Sequence, residues 1–139
     1  MTDASPNLPP SNASRGAAPA RADDLFGLGI SVLLFGYFGF FTWPIEGAPA
    51  MSHIFTWTLR VSAIGFALAA ILLMVGRREG HLVAGVIGVL GALAFLVVIA
   101  LDLMDTQRSV GMHPIILLAF ALWNGWVSIG SLRDWRAAR

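Results

Sequence analysis

The sequence predicts an all-α integral membrane protein: a four-transmembrane-helix bundle, up-down-up-down, with both termini cytoplasmic and a disordered N-terminal tail. Three observations carry that expectation. Leu82–Leu101, LVAGVIGVLGALAFLVVIAL, holds no charged residue between Arg77-Arg78-Glu79 and Asp102, and at helical rise its length matches the roughly 30 Å of a bilayer's hydrocarbon. Three further segments have the same character. Composition agrees independently, because 57% hydrophobic and only 12% charged residues leave a chain with about half the charge of a soluble domain.

Residues 1–22 hold four of the seven prolines, with Ser, Asn, Ala and Gly and, after Met1, a single large aliphatic residue, Leu8. Such a segment buries too little apolar surface to offset the entropy of ordering, and is read as a disordered cytoplasmic tail ahead of a membrane domain at 23–139. The first span is expected at about 25–43, with Asp23 or Asp24 capping its start and Pro44 ending it. Gly29, Val32, Gly36, Gly39 and Trp43 fall on one side at helical spacing, a small-residue stripe read as plain packing, which leaves most of Phe26, Phe35, Phe38 and Phe41 to fill lipid or neighbouring-helix surface. A rival reading treats this span as a signal sequence cleaved after Ala48-Pro49-Ala50, although it is long for an h-region.

Pro44–Ser52, with Gly47 and Pro49, reads as a short connection. The second span, about 54–75, is closed by Gly76 and followed by Arg77-Arg78. Arg60 is its anomaly, about 9 Å in from Ile54, where a guanidinium needs a partner or must snorkel. His53, Thr56 and Arg60 share a face with Ala63, Ala67, Ala70 and Met74.

The third span, about 82–101, has a small-residue face of Ala84, Gly88, Gly91, Ala92, Phe95 and Ile99, continued by Asp102. Gly88, Gly91 and Ala92 are therefore expected at helix–helix contacts. The fourth, about 114–132, opens at Pro114 in the first helical position. Leu117, Phe120, Asn124, Ser128 and Ser131 line one of its faces. Asn124 falls near mid-bilayer, where an amide needs a hydrogen-bond partner, expected on another helix. Trp43 and Trp57 at one boundary and Trp135 at the other read as aromatic belts.

Orientation follows from arginine, since the chain has no lysine. The N-tail, the 76–81 turn and the C-tail carry Arg15, Arg21, Arg77, Arg78, Arg133, Arg136 and Arg139. The opposite side has only Arg60 and Arg108, which puts the termini in the cytoplasm of a cell (cytoplasmic or inner) membrane. Both hairpins then point the same way, and Met51-Ser52-His53-Ile54 against Met112-His113-Pro114-Ile115 hints at a duplicated hairpin.

His53, Thr56, Arg60, Asp102 and His113 form the one polar constellation, in the outer third of the membrane. Its plainest role is an Arg60–Asp102 ion pair that sets helix register. Alternatives are an outward-facing pocket around Arg60 and Asp102 in a small transporter or channel subunit, and haem or metal ligation through His53 and His113. In length and span count the chain resembles the small multidrug exporters, but their first helix carries a membrane-embedded glutamate and Leu25–Trp43 carries no charge. A near-neutral net charge of +1 excludes a nucleic-acid partner, and the absence of cysteine excludes disulfides and thiolate chemistry. No nucleophile or acid–base pair marks an enzyme, and no motif names a cofactor or small-molecule ligand. The leading expectation is an auxiliary, assembly or helix-interaction protein, whose partners are the lipid bilayer and a second copy or a larger membrane complex.

Overall fold

A computed structural model describes residues 22–42, 50–104 and 114–137. Among them the chain is helical except for the 75–78 turn: α1 (Ala22–Gly36) runs into a π-helical segment (Tyr37–Thr42), followed by α2 (Ala50–Met74), α3 (Glu79–Met104) and α4 (Pro114–Ala137). All four helices are long and apolar enough to cross a membrane, and the protein is read as membrane-embedded. The expected N-terminal tail up to residue 21, Trp43 with the 43–49 connection, and His113 lie outside the described residues.

The helices run past the apolar spans that predicted them. α3 begins at Glu79 and ends at Met104, and α4 continues to Ala137, because backbone hydrogen bonding does not stop where side chains become polar. Asp23 and Asp24 lie within the first turn of α1 rather than at its cap, so they act on the helix dipole instead of capping an N–H. Gly76 closes α2 as expected. Its φ is 75°, its N–H donates to Leu73 O at 3.0 Å, and the Arg77 N–H donates to Leu72 O at 2.8 Å. That is the paired bonding of a Schellman cap, in which glycine tolerates the left-handed residue.

At the centre of the bundle every helix contributes one phenylalanine. Phe35 of α1 stacks on Phe66 of α2 (5.9 Å between centroids) and Phe95 of α3 (6.1 Å), and tilts against Phe120 of α4 at 5.6 Å. Phe95 and Phe120 close the ring at 5.7 Å, and Phe55 meets Phe95 edge-on. All these rings are buried, and offset and edge contacts of this kind add roughly 0.5–1.5 kcal/mol per pair beyond area burial.

Between α2, α3 and α4 the spacing is set by glycine. A Cβ on Gly65 would meet the Ile87 side chain, one on Gly80 would stand 2.6 Å from Ala69 O, and one on Gly88 would meet Ser128 Oγ and lie 2.8 Å from Asn124 O. The small-residue face predicted for α3 is thus its packing face: Ala84, Gly88, Gly91, Phe95 and Asp102 are buried and Ala92 is half-buried.

α1 departs from expectation. Its buried stripe is Leu28, Ser31 and Phe35, while positions Gly29 and Gly36 open onto space with no atom within 4 Å of a Cβ built there. Phenylalanine at 35 fills the centre better than any glycine contact would, so the helix turns Leu28 and Phe35 inward and leaves Phe26 and Leu33 exposed. Gly39 is buried, but on the π-helical segment, where the wider turn has shifted the register.

Candidate functional site

The polar residues divide into three places. At the first, Arg60 leaves α2 toward the π-helical segment, its Nε donating to Gly39 O at 2.8 Å. Its guanidinium lies over Phe40 (5.3 Å to the centroid) and over Trp57 (5.5 Å). Close approach is possible because a Cβ on Gly39 would stand only 3.1 Å from Arg60 N and from Leu59 Cβ. In the π register the Gly39 carbonyl would take its donor from residue 44, and Pro44 has no N–H. Arg60 supplies one.

The other described members of the predicted constellation lie toward the start of α2 and the end of α3. Thr56 is 2% exposed and Asp102 7%, both facing the interior as expected. His53 is exposed and stands on the wall of a groove between α2 and α3. His113, needed for the two-histidine haem or metal reading, lies outside the described residues. On α2, Arg60 projects to the side that meets the π-helical segment, whereas Ser62 and Gly65 face α3.

At the second place, near the middle of α4, Asn124 is fully buried. Its predicted location is right, and its bonding differs. The Nδ2 donates to Phe120 O of its own helix at 3.0 Å instead of reaching a neighbour, and Oδ1 has no partner. Ser128 likewise donates back, to Asn124 O at 2.7 Å. A true interhelical bond occurs elsewhere: Trp123 Nε1 donates to Ser31 Oγ at 2.9 Å, tying α4 to α1. Ser31 in turn donates to Gly27 O.

The third place was not anticipated. Asp24 in the first turn of α1, His81 in the first turn of α3 and Asp134 near the end of α4 bring one ligand atom each within 4.8 Å of one another, all three half-buried. Asp24 and His81 also edge a small cleft of about 150 Å³ beside Trp123 and Trp126. Two carboxylates and an imidazole can share a proton or face a divalent cation. The signal available in the sequence was position: all three residues sit at span ends on the arginine-rich side. Nearby, Arg78 lies over Trp135 at 5.4 Å.

Compared with protein families, with curated proteins and with solved structures, the chain finds no match. Its function is therefore argued from its own residues.

Proposed function

We propose that the chain is a small multi-pass subunit of a membrane assembly, which docks another transmembrane helix on the open glycine face of α1. The observation that supports this is the empty space at Gly29 and Gly36. They fall one heptad apart on α1, beside exposed Leu33 and on the side away from the buried stripe of Leu28, Ser31 and Phe35. Lipid gains nothing from glycine, whereas a second helix gains close backbone approach. The partner is a second copy of the chain or another membrane helix. In this reading Arg60 holds the π-helical segment rather than a substrate, and the protein is not an enzyme. The orientation is up-down-up-down with both termini cytoplasmic, because seven arginines lie on one side against two on the other.

Gly29→Leu and Gly36→Leu test this directly. A Cβ at either position meets no atom of the bundle within 4 Å, so the melting temperature should stay within a degree or two of wild type. Association, read as complex mass by native mass spectrometry from a mild detergent, should be lost. Unchanged association in both variants would end the proposal.

A further inference from the structure

Asp24, His81 and Asp134 are carried by three separate helix ends, in the first turns of α1 and α3 and near the end of α4. One ligand atom of each lies within 4.8 Å of the other two, yet no hydrogen bond or ion pair joins the three. Among the described residues the Asp24 carboxylate and the His81 imidazole have no partner at all, and Asp134 has one, the Arg133 Nε at 4.0 Å on a side chain that is 80% exposed. The imidazole therefore stands too far from either carboxylate to give it a proton directly. The gap is instead the width that a bridging atom fills, since atoms spaced by 4.8 Å share a central point at most about 2.8 Å from each, and drawing in by less than about 1 Å reaches zinc-ligand distances. The neighbouring charges point the same way. That end of the bundle holds Arg77, Arg78, Arg133 and Arg136, but none of them lines the cleft that Asp24, His81 and Ser131 edge, and the Arg78 guanidinium lies over Trp135. Two half-buried carboxylates thus face an imidazole with no arginine between them, an arrangement that costs free energy until a positive charge enters.

We propose that Asp24, His81 and Asp134 bind a divalent transition-metal cation, Zn²⁺ best, which ties the ends of α1, α3 and α4 together. The donor set defines the class. Two carboxylate oxygens and one neutral imidazole nitrogen carry a charge of −2, which a divalent cation cancels. Ca²⁺ and Mg²⁺ prefer oxygen throughout, and Mg²⁺ gives up its water reluctantly. Imidazole favours the later first-row metals, and for one set of N and O donors Zn²⁺ binds more tightly than Mn²⁺. Three protein ligands leave a tetrahedral ion one further position. It opens toward the cleft of about 150 Å³, which has room for water or a small anion and none for a drug-sized molecule. The mechanical consequence falls on α1. That helix packs mainly on α2 and little on α4, to which the Trp123–Ser31 hydrogen bond joins it near mid-helix, and a bound cation adds a second tie at its start. This inference is independent of the glycine face on α1.

The test uses the full chain, free of any histidine tag, in lipid nanodiscs stripped with chelator and then titrated with ZnCl₂, MnCl₂ or MgCl₂. Calorimetry and elemental analysis give affinity and stoichiometry, and melting gives the structural effect. The wild type should take up one Zn²⁺ per chain, bind Mn²⁺ more weakly and show no binding of Mg²⁺. His81→Ala, Asp24→Asn and Asp134→Asn should each weaken Zn²⁺ binding by about tenfold or more, whereas His53→Ala should leave it unchanged. Zn²⁺ should raise the melting temperature of the wild type and not that of Asp134→Asn, which in chelator should melt no lower than the wild type. A wild type that takes up no stoichiometric Zn²⁺, or binds Mg²⁺ as tightly, would overturn the proposal whether or not the variants fold. So would Zn²⁺ affinity that survives both His81→Ala and Asp134→Asn.

Discussion

Gly88→Ala should be a strongly damaging addition of a methyl group, and its cost can be worked out from the structure. The new Cβ would overlap Ser128 Oγ and lie 2.8 Å from Asn124 O. Ser128 cannot simply turn away, since its hydroxyl is committed to Asn124 O at 2.7 Å, and giving up that bond costs about 1 kcal/mol. The Asn124 carbonyl is backbone and cannot rotate at all, so α3 and α4 must also part, a further ~1–3 kcal/mol of overpacking. The total is about 2–4 kcal/mol. Ser128→Ala in the same chain should recover less than half, because the carbonyl contact remains.

Gly65→Ala supplies the contrast, for its Cβ meets only side-chain atoms of Ile87, at 2.6, 2.8 and 2.9 Å. Shortening Ile87 to Ala should therefore rescue Gly65→Ala almost fully in clash terms, apart from the cost of the cavity itself. Gly125→Ala, with nothing within 4 Å, should be neutral or stabilising by up to about 1 kcal/mol through helix propensity. The assay is unfolding of the purified variants in mixed micelles of increasing denaturing detergent, followed by circular dichroism. A Gly88→Ala variant as stable as Gly125→Ala would refute the close α3–α4 approach on which this reasoning depends.

Four further outcomes are expected. Arg60→Gln loses a charge-assisted hydrogen bond and two ring contacts, and should cost about 2 kcal/mol in the same unfolding assay. Trp123→Phe keeps the ring but not the donor to Ser31, and should cost about 1 kcal/mol. Asp134→Asn removes one of two carboxylates crowded near His81. If nothing bridges them the variant should melt slightly higher than wild type, and a lower melting temperature abolished by chelator would instead reveal a bound cation. Reporters placed after Arg139 and at Gly80 should both read cytoplasm while one at Ser109 reads outside, and an outside C-terminus would overturn the orientation.

What the sequence discloses depends on whether a residue has one physical use or several. Gly88 and Gly91 have one: in a span otherwise made of Val, Leu and Ile, small residues mark where another backbone comes near, and both are packed as expected. On α1 the same rule misleads, since Gly29 and Gly36 share the helix with Phe26 and Phe35. Ring packing at Phe35 decides the outcome, and a count of small residues carries no information about that balance. Asn124 stands out in the sequence as an amide among apolar residues, but its position does not reveal that the carbonyl four residues back accepts its Nδ2–H. The Asp24, His81 and Asp134 group is assembled from helix ends far apart in the chain, and only the order of helices around the bundle brings it together.

Arg60 shows that an intramembrane charge can serve a backbone carbonyl and aromatic rings as well as an ion pair or a transport path. The expectation of a carboxylate partner rests on treating the guanidinium as a charge in hydrocarbon that only an opposite charge can compensate. A proline has no N–H to give to a helix that precedes it, so a carbonyl that would accept from that position needs another donor in a medium that offers none. With the π register of Tyr37–Thr42 that carbonyl is Gly39 O, and a side chain able to reach it must be long, carry a directed N–H and remain protonated at any depth. Arginine has all three properties. Lysine, with a compact charge and no planar edge, would satisfy the carbonyl less well and stack less well on Phe40 and Trp57. Arg60→Lys should therefore recover only part of the stability that Arg60→Gln loses. A replacement of Pro44 by alanine, which restores an N–H at that position, should make the loss of Arg60 cheaper. If Pro44→Ala leaves the cost of Arg60→Gln unchanged, the arginine is not serving the carbonyl that proline leaves open.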